Sequence, residues 1–286
     1  MQSLIYVLGA GSVGSTLLSM ILGSHSKIVS VGELTKLDMY RALDLPCSCD
    51  EPVSKCPFWS RIDVEQGAAW PAPIRATMPL RKLIQYRTDS LRRDPYSLGV
   101  VARNLECYEQ VGKLAGKNVI VDTSKDLVRL YYLYRSGRVR ILPVMMVRDG
   151  RAYVESMSRR GMSPYRATLR WTRLNLLAEL MIKRMRLRPY VVKLDYAELT
   201  HSPKEAMEKI LRPLYLEFED SMLNYHDGAF HNIAAQTTRF KPSPIRPMED
   251  WRQELPLSSR IWFTALGGHY FNRRFGVGGD VSGTTG

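Results

Sequence analysis

The stretch Ile5–Leu18, IYVLGAGSVGSTLL, constrains this chain more than any other. An apolar run enters a glycine-rich turn, and the turn opens into a helical pattern over Ser15–Leu22. Such a strand–turn–helix junction aims several backbone N–H groups and the positive end of a helix dipole at one point. That point suits a phosphate.

Three phosphate loops share these letters. Gly9, Gly11 and Gly14 satisfy G-x-G-x-x-G. Glu33 follows nineteen residues after Gly14, at the end of a second strand-like run, where a ribose-binding acid belongs. Gly9 and Gly14 also have the spacing of G-x-x-x-x-G-K-[ST], with Thr16 in place. Ser15 occupies the lysine position, so nothing in the loop reaches a β/γ-phosphate. The third pattern, R-S-G-[ST]-T-L-L, cradles a single 5′-phosphate and needs no lysine in the loop. Gly14-Ser-Thr-Leu-Leu18 matches its second half, with Ser12-Val13 in place of Arg-Ser. The loop alone does not choose between the first pattern and the third.

The chain has 286 residues, 45% of them hydrophobic and 24% charged, which fits one large α/β domain. No apolar run is long enough for a membrane span, and the N-terminus has no basic region of a signal peptide. A cytoplasmic location is expected. The net charge of +13 suits a polyanionic ligand such as a nucleotide. Zinc-finger spacing and a continuous basic tail are both missing, which argues against a nucleic-acid partner.

Four cysteines, Cys47, Cys49, Cys56 and Cys107, are expected to be reduced. Cys47 and Cys49 followed by Cys56 invite a metal reading, with Cys107 or a histidine as the fourth ligand. C-x-C is an unusual pair for structural zinc, so packing is the preferred role and no metal is assigned.

Elements alternate in α/β fashion. Strands are expected at 4–8, 27–31, 117–121, 140–147 and 190–194, and helices at 15–22, 98–114, 150–160, 163–186 and 202–214. The pattern loosens between Thr35 and Leu114, which reads as a mainly helical insertion covering a site. A single domain over 1–275 and a flexible Gly/Ser/Thr-rich tail over 276–286 follow. Three strands end in polar sequences suited to phosphate: Gly11–Thr16, Asp122–Lys125 and Arg148–Arg151. In an open parallel sheet, ligands sit at those carboxyl ends.

Taken in order along the chain, these pieces resemble the PAPS-dependent sulfotransferase family, in particular bacterial members related to carbohydrate and tyrosyl-protein sulfotransferases. The matching pieces are Gly14–Leu18, Val31–Leu34, Cys47 and Cys49 with Cys56–Trp59, Val121–Lys125, Val147–Arg151 with Ser156, Leu194–Leu199, and His231 with Arg239 and Phe240. The resemblance implies a P-loop NTPase-like three-layer α/β fold with a central, mostly parallel sheet. It also implies transfer of a sulfuryl group from 3′-phosphoadenosine 5′-phosphosulfate (PAPS, leaving PAP) to a hydroxyl or amine, with no metal required.

By that resemblance, Ser12, Val13, Gly14, Ser15 and Thr16 hold the 5′-phosphate. Arg148 and Ser156 hold the 3′-phosphate, and Arg239 closes over the nucleotide. Lys125 stabilises the leaving oxygen and Glu33 is the candidate base, or else an orienting acid. Because Ser12 stands where the family has an arginine, either Lys125 or another arginine compensates, or the chain binds nucleotide but transfers poorly. His25 reads as a helix-end residue. The expected partners are the nucleotide donor and an unidentified acceptor, with the chain a monomer or homodimer. The competing readings are an NAD(P)-dependent oxidoreductase built on Gly9–Gly14 and a non-catalytic nucleotide-binding protein.

Overall fold

Five apolar runs become five strands: β1 (Ser3–Leu8), β2 (Ile28–Gly32), β3 (Val119–Asp122), β4 (Arg140–Val147) and β5 (Val192–Asp195). The computed structural model describes residues 2–63, 95–235, 245, 247–249 and 251–277. The Pro-rich stretch 70–78, the charged stretch 81–93, Arg239 and the tail beyond Val277 lie outside the described residues. All strand pairs are parallel, in the order β2-β3-β1-β4-β5. Leu4 to Leu8 and Val144 to Val147 are buried without interruption. Strands covered on both faces have this continuous apolar character. Pro143 lacks an N–H but pairs with Tyr6, at a point where the β4–β5 ladder, which starts at Val144, has not begun.

The order carries a functional consequence. A dinucleotide-binding sheet places β2 beside β1, so that an acid at the end of β2 reaches the ribose. Here β3 lies between them, so the β2 backbone that carries Glu33 is two strands from β1, about 10 Å by strand spacing, although the Glu33 carboxylate reaches back toward the loop through Lys125. What stands next to the loop is the end of β3, which carries Lys125.

The helices are α1 (Ser15–Gly23), α2 (Leu37–Ala42), α3 (Pro95–Ala115), α4 (Leu127–Ser136), α5 (Gly150–Ser158), α6 (Pro164–Arg184), α7 (Tyr196–His201) and α8 (Pro203–Leu211). Near the C-terminus follow α9 (Trp251–Glu254), α10 (Leu257–Ala265) and α11 (Gly268–Phe275). Ser163 caps α6 by accepting from the Arg166 amide, and Pro164 opens it. Ser202 stands at the start of α8 but makes no side-chain cap bond.

Helix α4 was not expected from the sequence. Asp126 caps it, accepting from the amides of Val128 at 2.8 Å and Arg129 at 3.1 Å. The C-terminal helices close the core around the fully buried Trp171, whose ring meets Phe263 at 5.9 Å and Phe275 at 5.3 Å. Val277 is buried too. No helix among the described residues is long and apolar enough to cross a membrane.

Candidate functional site

The loop between β1 and α1 is shaped by left-handed backbone at Ser12 (φ 59°) and Gly14 (φ 87°). Alternation of this kind turns successive amides toward one concavity. Gly9 and Gly14 cannot carry a side chain. A Cβ on Gly9 would strike the Met146 carbonyl, and one on Gly14 would strike the Tyr196 ring. No side chain caps the N-terminus of α1, and no acidic residue occupies its first turn. The first-turn amides and the dipole are therefore open to solvent or to an anion. Val13 is wholly buried, so its side chain serves the core and only its backbone faces this task.

The Lys125 ammonium stands beside the loop. Its Nζ donates to the Ser15 hydroxyl at 3.1 Å, to the Thr123 carbonyl at 2.7 Å and to Glu33 Oε1 at 2.9 Å. Ser15 occupies the position where a triphosphatase loop carries its lysine, so an ammonium from the end of β3 stands beside that position. Lys125 itself has φ 58°, a left-handed conformation that costs a non-glycine residue about 1 kcal/mol or more. The turn that imposes it is held by Asp122, whose Oδ1 accepts from the Ser124 amide at 2.7 Å.

Beneath this turn lies a wholly buried network. Tyr108 donates to Asp122 Oδ2 at 2.6 Å, and Arg129 Nη2 donates to the Tyr108 hydroxyl at 3.0 Å. Arg129 also stands 3.5 Å from the Asp122 carboxylate.

Glu33 pairs with Lys125 at 2.9 Å and with Lys36 at 2.7 Å. Burial alone would push its pKa up, but the two lysines outweigh it and hold the carboxylate below its ordinary range.

Arg148 ends β4 and reaches back to the loop, donating from Nη1 to the Ser12 carbonyl at 3.0 Å. Its guanidinium lies over the Tyr196 ring, 4.5 Å from the centroid. Tyr196 in turn lies against Gly14. Asp149 turns away to Arg151, in a two-pronged pair at 3.0 and 2.7 Å, and caps α5 through the Arg151 amide. The Gly150 amide donates to Asn272 of α11 at 2.9 Å, and the Trp171 indole donates to the Arg148 carbonyl at 3.2 Å. The C-terminal helices thus brace the backbone that presents Arg148. Ser156 is half-buried on the second turn of α5, and side chains on a helix tilt toward its N-terminus, here the Arg148 end.

Asp195, the N-cap of α7, is a carboxylate shifted far from its ordinary range. Burial pushes it up to about 6, its bond from the Ala197 amide opposes this, and the nearby Asp149 charge adds to it. Between about pH 4 and 6 the folded chain keeps a proton that the unfolded chain has released, so this group's contribution to stability falls as pH rises through that window. Asp195→Asn retains a good cap and removes the buried charge. It is expected to gain about 1 kcal/mol over the parent above pH 6, a figure discounted for partial solvent access, and nothing below pH 4. Urea unfolding of both proteins from pH 4 to 8 checks the sign.

With this geometry in view, two comparisons bear on the fold. The chain superposes on the sulfotransferase domain from the Synechococcus PCC 7002 olefin synthase with a TM-score of 0.55, covering 93% of this chain and 95% of that one at 17% identity. It superposes on the sulfotransferase domain from the curacin biosynthetic pathway with the same score, covering 93% and 98% at 15% identity. The chain has the sulfotransferase fold. No protein-family model and no curated protein sequence matches it.

Within this sulfotransferase fold, Ser12, Val13, Gly14, Ser15, Thr16, Lys125, Glu33 and Arg148 gather at the carboxyl ends of neighbouring strands, while Arg239 lies outside the described residues. His25 is buried away from them at the far end of α1, where its Nε2 meets the Glu217 carbonyl at 3.0 Å. Tyr196, Asn272 and Trp171 belong to the site's support and were not singled out from the sequence. The Leu194–Leu199 segment carries the one signal for them, since it contains Tyr196.

Proposed function

We propose that this chain transfers a sulfuryl group from PAPS to a hydroxyl or amine by in-line displacement at sulfur. The observation that carries the reading is Lys125, a cation held at the mouth of a phosphate loop from the adjacent strand. The donor fits what is present: an uncapped helix N-terminus for one phosphate and, beside it, an arginine for another. PAPS supplies the activated sulfuryl group with PAP as its leaving group.

In this account the backbone of Ser12–Thr16 and the Ser15 and Thr16 hydroxyls hold the 5′-phosphate. Arg148, stiffened by Tyr196, offers its planar fork to the 3′-phosphate together with Ser156. Arg239 would close over the nucleotide. Lys125 meets the negative charge that develops on the bridging oxygen, an interaction stronger in the transition state than before it. Lys125 is shared with Glu33. Each bond that Lys125 gives to the donor loosens its grip on Glu33 and lets that carboxylate rise toward the basicity needed to take the acceptor proton. The segment between Thr35 and Leu114 is assigned to the acceptor side. A cytoplasmic location, where thiols stay reduced, accords with four free cysteines.

Arg148→Ala tests the donor site. It is expected to weaken binding of adenosine 3′,5′-bisphosphate at least about tenfold while leaving adenosine 5′-monophosphate within about twofold, because only one of these ligands has the 3′-phosphate. An equal loss for both ligands in a calorimetric titration would take the 3′-phosphate role away from Arg148.

A further inference from the structure

The fold brings Cys47, Cys49 and Cys56 to one histidine from far along the chain. The four ligand atoms of Cys47, Cys49, Cys56 and His231 all lie within 4.8 Å of one another. Cys49 Sγ is 3.7 Å from Cys56 Sγ, and Cys56 Sγ is 3.3 Å from His231 Nδ1. A tetrahedral ion with metal–sulfur bonds of about 2.3 Å and metal–nitrogen bonds of about 2.0–2.1 Å holds its ligands roughly 3.5–3.8 Å apart. A disulfide would need its sulfurs at about 2.05 Å. Cys107, the other candidate from the sequence, lies instead on α3.

The surroundings hold these groups in place independently of any ion. Phe58 stacks on the His231 ring at 5.4 Å with the planes 4° apart. The Trp59 amide donates to Cys56 Sγ at 3.5 Å, and the Trp59 indole donates to the His231 carbonyl at 2.6 Å. Ser48 ties the two segments together, its hydroxyl donating to the Phe230 carbonyl at 2.8 Å and accepting from the Asn232 amide at 2.7 Å. Supporting contacts of this kind orient metal ligands.

We propose that Cys47, Cys49, Cys56 and His231 bind a structural Zn²⁺ ion. Three soft sulfurs and an imidazole gathered within 4.8 Å of one another suit zinc, and four protein ligands leave no open position for catalysis. On binding, three S–H bonds break, three Zn–S bonds and one Zn–N bond form, and three protons leave to solvent, with the imidazole entering neutral. The ion cross-links the loop after α2 to the segment that runs beside β2. Two residues past His231, the Ile233 amide donates to the Val31 carbonyl at 3.0 Å, and the Ile233 carbonyl accepts from the Glu33 amide at 2.9 Å. The metal thus anchors the strand extension that holds the Glu33 backbone. The proposal stands on this cluster alone and does not depend on the reaction assigned to the chain.

The test is elemental analysis of the untagged full chain, purified without added metal, with Co²⁺ exchanged into the chelated protein as a second readout. About one zinc per chain is expected, with a fall of several degrees in Tm on chelation and, after Co²⁺ addition, the thiolate charge-transfer and intense d–d bands of a tetrahedral site. His231→Cys should keep the zinc, whereas His231→Phe, which preserves the stack on Phe58, should lose it. Four outcomes would each overturn the proposal. They are a folded, metal-free chain whose Tm ignores chelators, a chelated chain that takes up no Co²⁺, a disulfide between Cys49 and Cys56, and a His231→Phe chain that keeps its full equivalent of zinc.

Discussion

Lys125→Ala is expected to lower turnover by about 10²–10³-fold while leaving affinity for adenosine 3′,5′-bisphosphate within about twofold. The reason is positional. The Lys125 ammonium is fixed by three partners, Ser15, Thr123 and Glu33, next to the first residue of the helix whose N-terminus would hold the 5′-phosphate. A cation fixed there gains little from a ground state whose charge the loop amides already hold. It gains most when charge builds on the oxygen departing from sulfur. PAPS hydrolysis and transfer to a model phenol give the rate, and calorimetry gives the affinity. Glu33→Gln keeps Lys125 in place through two of its three bonds but removes the proposed base, so transfer to the phenol should fall by about 10²-fold or more while nucleotide affinity holds. A chain that only binds nucleotide has no turnover to lose, so unchanged background rates in wild type and variant would move this protein out of the enzymes.

The second large effect is on stability. Arg129→Ala is expected to cost about 3–5 kcal/mol, because it leaves the Asp122 carboxylate, which is wholly buried, without its cation. For a chain of this size that is a fall in Tm of roughly 5–8 °C. The loss should be partly restored by adding Asp122→Asn. An amide in that place carries no charge, and its oxygen can still accept from the Ser124 amide that shapes the Lys125 turn. Chemical unfolding of wild type, the single variant and the double variant measures the coupling directly. A double variant less stable than Arg129→Ala by the full cost of a second independent lesion would contradict the network.

The sequence carried the strands well because parallel strands buried on both faces leave continuous apolar runs. β4 was expected at 140–147 and is found there. β3 and β5 begin about two residues later than expected. The Lys117 amide still bonds back to the Gly112 carbonyl at the end of α3, and Tyr190 ends a short 3-10 turn.

What periodicity could not carry was strand order. Glu33 falls at the right distance along the chain for a ribose acid, and only the insertion of β3 between β1 and β2 removes it from that role. The same insertion explains how Lys125, far from the loop in sequence, comes to stand beside it. Tyr196 was hidden for a similar reason, since its work is to lie between Gly14 and Arg148, a contact made across strands. The cysteine cluster shows the limit most clearly. Three ligands lie within ten residues, but the fourth is 175 residues away and follows from no local spacing.

The central claim is tested most directly by titrating the purified chain with adenosine 3′,5′-bisphosphate, with NADH and NADPH as controls. The account predicts micromolar binding of the bisphosphate and none of either dinucleotide. Tight binding of NADH or NADPH with no response to the bisphosphate would contradict it, and would return the glycines at 9, 11 and 14 to a dinucleotide role.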